Sequence, residues 1–499
     1  MDSTNGSQGS KYRFAHVGIA VADLEKAVEF YKVFLQAEPV LLWDSNRKQF
    51  IDELVGYHLE QAARYREQLG QRDGRTTGLA RRAAERLERA ADRVASHDAS
   101  AFVSLLSRVA ELLPPDDPDR IAALIDLGDA LARQFELERA QASVDEAALQ
   151  ARALGDRRLE LQAEVMRGVV RLSTEPEGAN EALVAVVEEA LPLFEAAGDD
   201  RGLALAWWGM LHVHHGLSRY ADAGVAAERA LECGRRTGRR VTGGDRLIPT
   251  LATTIGLGPT PVDQGLARLA SLRAVGGAAE ISCGCMAGLL EALRGNIEQA
   301  RVLNRKALAA AEELGMPFAI VGVSEWACVG ELAAGDPAAA EREMRRGYDI
   351  LEQADEKGYL STMACHLAEA LERQGDVTEA YRLTEVAEEL GAADDAATQM
   401  EWRRVRALVH LRRGEPERAT ELARASVELA ERTDALAWQG EAWLALALAL
   451  RASGGEEAAA EALGQARERF ERKGATALLR RADELFAERA VMPDGAAGP

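Results

Sequence analysis

Five short turns built around glycine recur at a nearly constant interval in the second half of the chain. The glycines are Gly295, Gly335, Gly375, Gly414 and Gly454. An alanine follows each glycine after five residues, and a small residue follows that alanine after another seven. A fixed period of about 40 residues is typical of a solenoid of helical hairpins, in which each hairpin buries its apolar face against its neighbours.

The same period extends towards the N-terminus. Gly128, Gly168 and Gly209 follow one another at the same interval of about 40 residues. One unit, at about residues 241–277, is degenerate, because the run Gly-Leu-Gly-Pro-Thr-Pro at 256–261 predicts a shortened or broken first helix. The spacing predicts nine hairpins from Asp119 to Gly474, followed by a capping helix over residues 475–488.

The composition fits a helical array and disfavours two classes of partner. The chain is 47% hydrophobic and 28% charged, and its formal charge of −21 repels nucleic-acid phosphates. The most apolar stretch, Trp443 to Leu450, is shorter than the roughly 20 residues that span a bilayer. Five cysteines in 499 residues form no disulfide framework, which is typical of a reducing compartment. We therefore expect a cytoplasmic protein with neither a nucleic-acid nor a membrane partner.

Residues 12–44 differ in pattern from the rest of the chain. The run Phe14 to Val21 predicts a strand, Leu24 to Leu35 a helix and Val40 to Trp43 a second strand. The predicted fold is all-α, a right-handed superhelical solenoid of antiparallel hairpins with a short β-α-β fragment at the N-terminus. The predicted divisions are a disordered tail at 1–11, the fragment at 12–44, a helical lead-in at 48–118, the array at 119–490 and a second tail at 491–499.

The repeats resemble a tetratricopeptide-repeat array of the longer type, with about 40 residues a unit, and the unit from Gly288 to Ala307 carries the pattern best. The segment Asp-Glu-Leu-Val-Gly-Tyr-His-Leu-Glu-Gln-Ala at 52–62 and the junction at 112–118 resemble the helical C-terminal region of bacterial regulators that join an adenylate/guanylate cyclase or DNA-binding module to an ATPase. The sequence contains no Gly-x-x-x-x-Gly-Lys-Ser/Thr loop for a triphosphate. The resemblance therefore implies the sensing half of such a regulator.

Residues 13–44 resemble the opening of a vicinal-oxygen-chelate domain, especially that of methylmalonyl-CoA epimerase. The match rests on His16-Val-Gly-Ile-Ala-Val21, Asp23-Leu-Glu25, Phe30-Tyr31 and residues 35–39. In that family the histidine matching His16 is a divalent-metal ligand. The match ends near Asp44, and a catalytic metal requires about three protein ligands, so we expect no epimerase activity.

Two further groups could bind a metal by residue type. His212 and His215 share a helix face within the cluster His212, His214 and His215, but only Asp222 lies near enough in sequence to add a ligand. Partly exposed helix histidines are the favoured interpretation. Cys283 and Cys285 have the wrong spacing for a zinc or redox pair and are interpreted as buried apolar thiols.

Two features could contact a ligand or a partner. The run Gly-Arg-Arg-Thr-Gly-Arg-Arg at 234–240 could hold a phosphate or an acidic partner, although solvated arginines at a helix C-terminus are the favoured interpretation. Six tryptophans on first helices are expected mostly to fill space between hairpins, with one or two facing the concave groove as anchors: Trp207, Trp208, Trp326, Trp402, Trp438 and Trp443.

The function predicted from these observations is a non-catalytic scaffold that requires no cofactor. It binds a protein segment, a peptide or a small effector in its concave groove, in signal transduction or transcriptional regulation. Two alternatives stay open: a metal-dependent vicinal-oxygen-chelate enzyme acting through His16, and a truncated part of a cyclase-type regulator.

Overall fold

The structure is a computed structural model that describes residues 46–95, 98–238, 247–273 and 278–488. This described part contains 22 α-helices and no strand, which confirms the predicted all-α class. The predicted β-α-β fragment at 12–44 and both predicted tails lie outside the described residues, and the domain boundaries drawn from sequence stay predictions.

The described residues divide into two compact units. Residues 46–90 and 111–113 form the first, and residues 91–110 and 114–488 form the second. The first three helices are α1 (Asn46–Gln68), α2 (Gly74–Val94) and α3 (Ala99–Leu112). In the first unit, the buried Asp52 pairs with Arg86 at 2.7 Å, which joins α1 to α2.

Nine consecutive hairpins make up most of the described part of the second unit. The first four are α4 (Pro118–Ala132) with α5 (Leu137–Leu154), α6 (Arg157–Thr174) with α7 (Ala179–Ala197), α8 (Asp200–Gly216) with α9 (Tyr220–Arg236), and α10 (Leu247–Leu257) with α11 (Val262–Arg273). The next three are α12 (Ala278–Leu293) with α13 (Ile297–Glu313), α14 (Pro317–Ala334) with α15 (Pro337–Gln353), and α16 (Gly358–Gln374) with α17 (Val377–Leu390). The last two are α18 (Ala396–Arg412) with α19 (Pro416–Ala430) and α20 (Leu436–Ala452) with α21 (Glu456–Lys473), after which α22 (Thr476–Glu488) follows as a single helix.

The five turn glycines from Gly295 to Gly454 end the first helices of the last five hairpins. All five adopt a left-handed backbone, with φ between 74° and 95°, a conformation that costs other residues free energy. At Gly335 the amides of the glycine and of Asp336 donate to carbonyls of the preceding turn of helix, and the Asp336 carboxylate then caps α15 by accepting from the Ala339 amide at 3.0 Å. The repeated glycine therefore sets where one helix stops and the next begins.

The small residues at fixed offsets are buried between the paired helices. The alanines five residues after the turn glycines are between 0% and 3% exposed. At Gly347 an added Cβ would lie 3.1 Å from the Cβ of Ser324, which is closer than ordinary van der Waals contact. Small side chains at these positions therefore allow the two helices of a hairpin to approach closely.

Two first helices depart from the regular pattern. Helix α10 has 11 residues, which confirms the shortened first helix predicted for the degenerate unit. Helix α14 is 18 residues long with a mean hydropathy of 1.2, long and apolar enough to span a membrane, yet 56% of it is buried within the protein. The stretch taken from sequence as the most apolar, residues 443–450, lies in a different helix, α20. Burial among the hairpins accounts for the apolar composition of α14.

Hairpins that are distant in sequence also contact each other within the second unit. The Asp434 carboxylate accepts from the amides of Tyr220 and Ala221, 214 and 213 residues away, each at 2.7 Å. The Lys473 ammonium donates to the carbonyls of Gly256 and Thr260 at 2.7 and 2.9 Å, across 217 and 213 residues. At about 40 residues a hairpin, these separations equal about five hairpins. We call these contacts the inter-turn contacts, because they join one turn of the array to the next.

Candidate binding site inside the helical array

First helices from six consecutive hairpins, together with α22, line a cavity of about 40 Å³ within the second unit. Helices α10, α12 and α14 contribute a mainly apolar wall, which includes Leu257, Leu289, Leu293, Val329, Leu332 and Ala333. Helix α22 packs against α12 and α14, and it adds Leu478 and Arg481. The last helix of the array therefore forms one side of the cavity.

The opposite wall carries buried charges on α16, α18 and α20. These residues are His366, Glu369, Arg373, Glu401, Arg404 and Glu441, and they stand beside Trp438. Burying so many charges costs free energy unless each is paired. The structure places three arginines, counting Arg481, against three glutamates around the cavity.

Arg404 is the centre of this ionic network. It is 2% exposed, and its Nη2 lies 2.5 Å from a carboxylate oxygen of Glu369 and 2.5 Å from one of Glu401. Arg373 also donates to Glu369, and its Nη1 donates to the Leu332 carbonyl at 2.6 Å. Three helices, α14, α16 and α18, are thus connected through one buried cluster.

The pairing reverses the effect that burial alone would have on these groups. Burial would raise the pKa of Glu369, but the positive charges of Arg373 and Arg404 outweigh it and hold that pKa well below its usual range. Burial would likewise lower the pKa of His366, but Glu325, whose Oε1 lies 3.6 Å from Nε2, and the nearby Glu401 and Glu369 raise it. The pairing with two arginines therefore keeps Glu369 charged at neutral pH.

Two side chains at the cavity have polar atoms that find no hydrogen-bond partner among the described residues. Arg481 donates from Nη2 to Glu441 at 2.7 Å, while its Nε and Nη1 have no acceptor in the described part of the chain. His366 Nε2, in a side chain that is 2% exposed, also has no hydrogen bond there. Such atoms in a buried site require an explanation, because unmet buried donors are costly.

His366, Glu369 and Glu401 also form a group whose possible ligand atoms lie within 4.8 Å of one another. Imidazole and carboxylates are suitable donors for a divalent transition metal. However, both carboxylates are already paired with Arg404, so a cation there would have to displace a buried guanidinium. The donor set is better explained as part of the ionic network than as a metal site.

The histidine cluster predicted from sequence does not gather into a group of three metal ligands in the described residues. His212 packs edge-on against Trp208 at 4.7 Å between ring centroids, and His215 packs against Tyr220 at 5.2 Å. Burial lowers the pKa of His215 to about 4. All three histidines are partly exposed near the end of α8, in agreement with the interpretation favoured from sequence. His212 and His215 pack against neighbouring aromatic rings.

The other sequence candidates fall into three groups. Cys283 and Cys285 are buried free thiols, as expected, and burial raises the pKa of each to about 12. In the arginine run, Arg236 ends α9 and pairs with Asp200 at 2.7 Å, while residues 239 and 240 lie outside the described residues. His16 also lies outside them, so the metal ligand implied by the resemblance stays a prediction.

The tryptophans on first helices take two kinds of position. Trp208, Trp326 and Trp402 are buried between helices, as expected for most of the six, and Trp438 lines the cavity. That a tryptophan anchors a partner stays a prediction.

Neither the ionic network nor the cavity was predicted from the sequence. A signal was present, since Glu401 precedes Gly414 by the same interval as Glu441 precedes Gly454, each on the first helix of its hairpin. A glutamate at the same place in two successive repeats indicates that each pairs with a basic residue. The partner itself, Arg404 or Arg481, could not be assigned from the spacing.

No family model and no curated protein matches the chain. Among solved structures, a Rap protein complexed with competence and sporulation factor is 15% identical, with a TM-score of 0.49, over 75% of this chain and 100% of that one. The Cut9–Hcn1 hetero-tetramer of APC/C is 13% identical, with a TM-score of 0.49, over 90% of each chain. Yeast Tom70 is 13% identical, with a TM-score of 0.32, over 90% of this chain and 98% of that one. Likenesses of this size concern only the fold, and they say nothing of what this chain binds.

Proposed function

We propose that this chain is a non-catalytic binding protein, a tetratricopeptide-like scaffold that receives an effector or the end of a peptide on the inner surface of its array. The observation that carries the proposal is the cavity with its charged wall and unpartnered buried donors. Ligand sites combine an apolar lining with a few convergent polar groups. Of the occupants predicted from sequence, a small effector or a peptide end suits the volume better than a long protein segment.

The test fills the cavity without changing charge. Ala437 lines the cavity, so Ala437→Leu in the full chain should abolish binding of any inner-surface ligand. Ala460→Leu, at an exposed position of α21, is the matched control and should bind normally. Ligands would be sought by thermal shift over a metabolite and peptide library and then measured by calorimetry. A partner that binds Ala437→Leu as tightly as the unmodified chain, and only through residues 1–50, would contradict the proposal.

We also propose a regulatory role in the cytoplasm, in signal transduction or transcriptional control, and no nucleic-acid or membrane partner. The support is the acidic charge of the chain and the resemblance of residues 52–62 and 112–118 to cyclase-type regulators. A triphosphate-binding loop encoded directly beside this chain would show that it is part of such a regulator.

The predicted metal site at His16 has its own test. Stoichiometric cobalt, manganese or nickel in the purified protein, lost in the His16→Ala variant, would favour the enzyme alternative over the scaffold.

A further inference from the structure

Arg481 has more hydrogen-bonding capacity than its surroundings satisfy. A guanidinium carries five N–H donors and no acceptor. Only Nη2 is engaged, by Glu441, whereas Nε and Nη1 are buried without an acceptor among the described residues. A group that supplies oxygen atoms to the cavity would satisfy these donors.

The charge around Arg481 favours an anionic group over a neutral one. Burial lowers the pKa of Arg481, and the positive charge of Arg373 lowers it further, while Glu441 and Glu369 offset this in part. Arg373 directs its own donors to Glu369 and to the Leu332 carbonyl. Two arginines thus face one region of the cavity, and a negative charge between them would relieve their repulsion.

The other wall limits the rest of the ligand. Leu293, Leu332 and Ala333 present aliphatic surface to the same cavity. A volume of about 40 Å³ holds roughly three water molecules, which corresponds to a ligand body of only a few non-hydrogen atoms. An apolar body of this size is a chain of about two to four carbons.

We propose that the cavity binds the carboxylate of a short aliphatic ligand. Arg481 anchors the carboxylate, and the aliphatic surface of Leu293, Leu332 and Ala333 packs against the carbon chain. This inference rests on the proposed binding function and names the chemistry of its ligand. The same chemistry has two sources, a free short-chain acid and the C-terminal carboxylate of a peptide that ends in a small aliphatic residue.

The experiment measures binding to the full chain by calorimetry with four probes. Butanoate is compared with butanamide, and a tripeptide ending in alanine is compared with its C-terminal amide. We expect the carboxylate of one pair to bind at least about tenfold more tightly than its amide, because hydrogen bonds to a charged acceptor are the stronger ones. The pair that binds identifies the source.

Two variants locate the site. Arg481→Gln should abolish the preference for carboxylate over amide, whereas Arg480→Gln, the exposed neighbour paired with Glu484, should keep it. Glu441→Gln removes the carboxylate that competes for Arg481 and should tighten binding of the acid severalfold, which tests the site even if Arg481→Gln does not fold.

The outcomes separate this inference from the proposed function. Equal binding of acid and amide, or failure of all four probes while another ligand depends on Ala437, would overturn the carboxylate assignment and leave the binding function standing. Failure of every probe and of every library ligand would overturn both, with water as the occupant of the cavity.

Discussion

Lys473 shows how one residue can hold together distant parts of the array. Its side chain is fully buried, and Nζ donates to the carbonyls of Gly256, Gly258 and Thr260 at 2.6 to 2.9 Å. Burial lowers the pKa of Lys473 to about 7. Three acceptors match the three N–H groups of an ammonium, so the geometry fits the protonated form.

We predict that Lys473→Met destabilises the protein by about 2–4 kcal/mol at about pH 6, because it leaves three buried carbonyls without a donor. Urea denaturation followed by circular dichroism measures the change. Arg472→Met, at the exposed neighbouring position, is the control and should change stability little. Equal stability of Lys473→Met and the unmodified chain would contradict the role given to this lysine.

A second buried ionisable residue, Glu356, makes stability depend on pH. Glu356 is 0% exposed and accepts from the amide of Tyr359 at 2.8 Å, just before α16. Burial raises its pKa from 4.5 to about 7, and hydrogen bonds from backbone amides only partly offset this. Because the folded state holds this proton more tightly, the contribution of Glu356 is fully present below about pH 4.5 and is lost as the pH rises through 7.

We predict that between about pH 5 and 8 the unmodified chain loses stability relative to Glu356→Gln, by at most about 3 kcal/mol. Thermal melting of both proteins across this range measures the difference. Glu352→Gln, an exposed neighbour, should follow the unmodified chain. Parallel curves for the chain and Glu356→Gln would show that Glu356 does not titrate as described.

At the scale of the helix, the chain uses glycine in two different ways. Gly375 ends α16 with φ of 89°, where a side chain would be strained. Gly464 lies inside α21, and beyond the adjoining backbone of that helix no described atom lies within 4 Å of the position its Cβ would take. The first glycine is required by backbone geometry, whereas the second only weakens its helix.

Alanine at these two positions should therefore have opposite effects. Gly375→Ala is expected to cost about 1–2 kcal/mol, and Gly464→Ala is expected to add about 0.5–1 kcal/mol. Denaturation midpoints of the two variants, measured side by side, test the prediction. Shifts of the same sign would mean that the turn glycine does not set the end of the helix.

At the scale of the whole second unit, the inter-turn contacts replace local helix caps. Helix α9 has no side-chain cap from its own N-cap residue, Arg219. Asp434 supplies the missing acceptor from a distant hairpin. A contact of this kind both ends a helix favourably and joins two turns of the array.

We predict that Asp434→Ala speeds hydrogen exchange of the amides of Tyr220 and Ala221 by about five- to tenfold, since the lost cap is worth roughly 1 kcal/mol. Exchange followed by mass spectrometry of peptides from this segment measures the effect. Asp376→Ala, which removes a cap within its own helix α17, should affect only the start of α17. Unchanged exchange at Tyr220 in Asp434→Ala would contradict the capping role.

The sequence by itself determined the helical hairpins. The turn glycines and the alanines that follow act within about 40 residues, so their spacing predicts the hairpins, and the run Gly-Leu-Gly-Pro-Thr-Pro at 256–261 predicts the shortened helix α10. The buried thiols at Cys283 and Cys285 were also predictable, because a free cysteine behaves as a small apolar side chain.

Only the tertiary structure decided the cavity and the contacts between turns. Small rotations from one hairpin to the next accumulate over about five repeats before distant hairpins meet, and no single repeat encodes their sum. For that reason Asp434 could not be assigned to α9, nor Lys473 to α10, nor Arg481 to the cavity, although each residue stands plainly in the sequence. The periodic pattern fixes local packing, whereas the pitch of the array brings charged groups together.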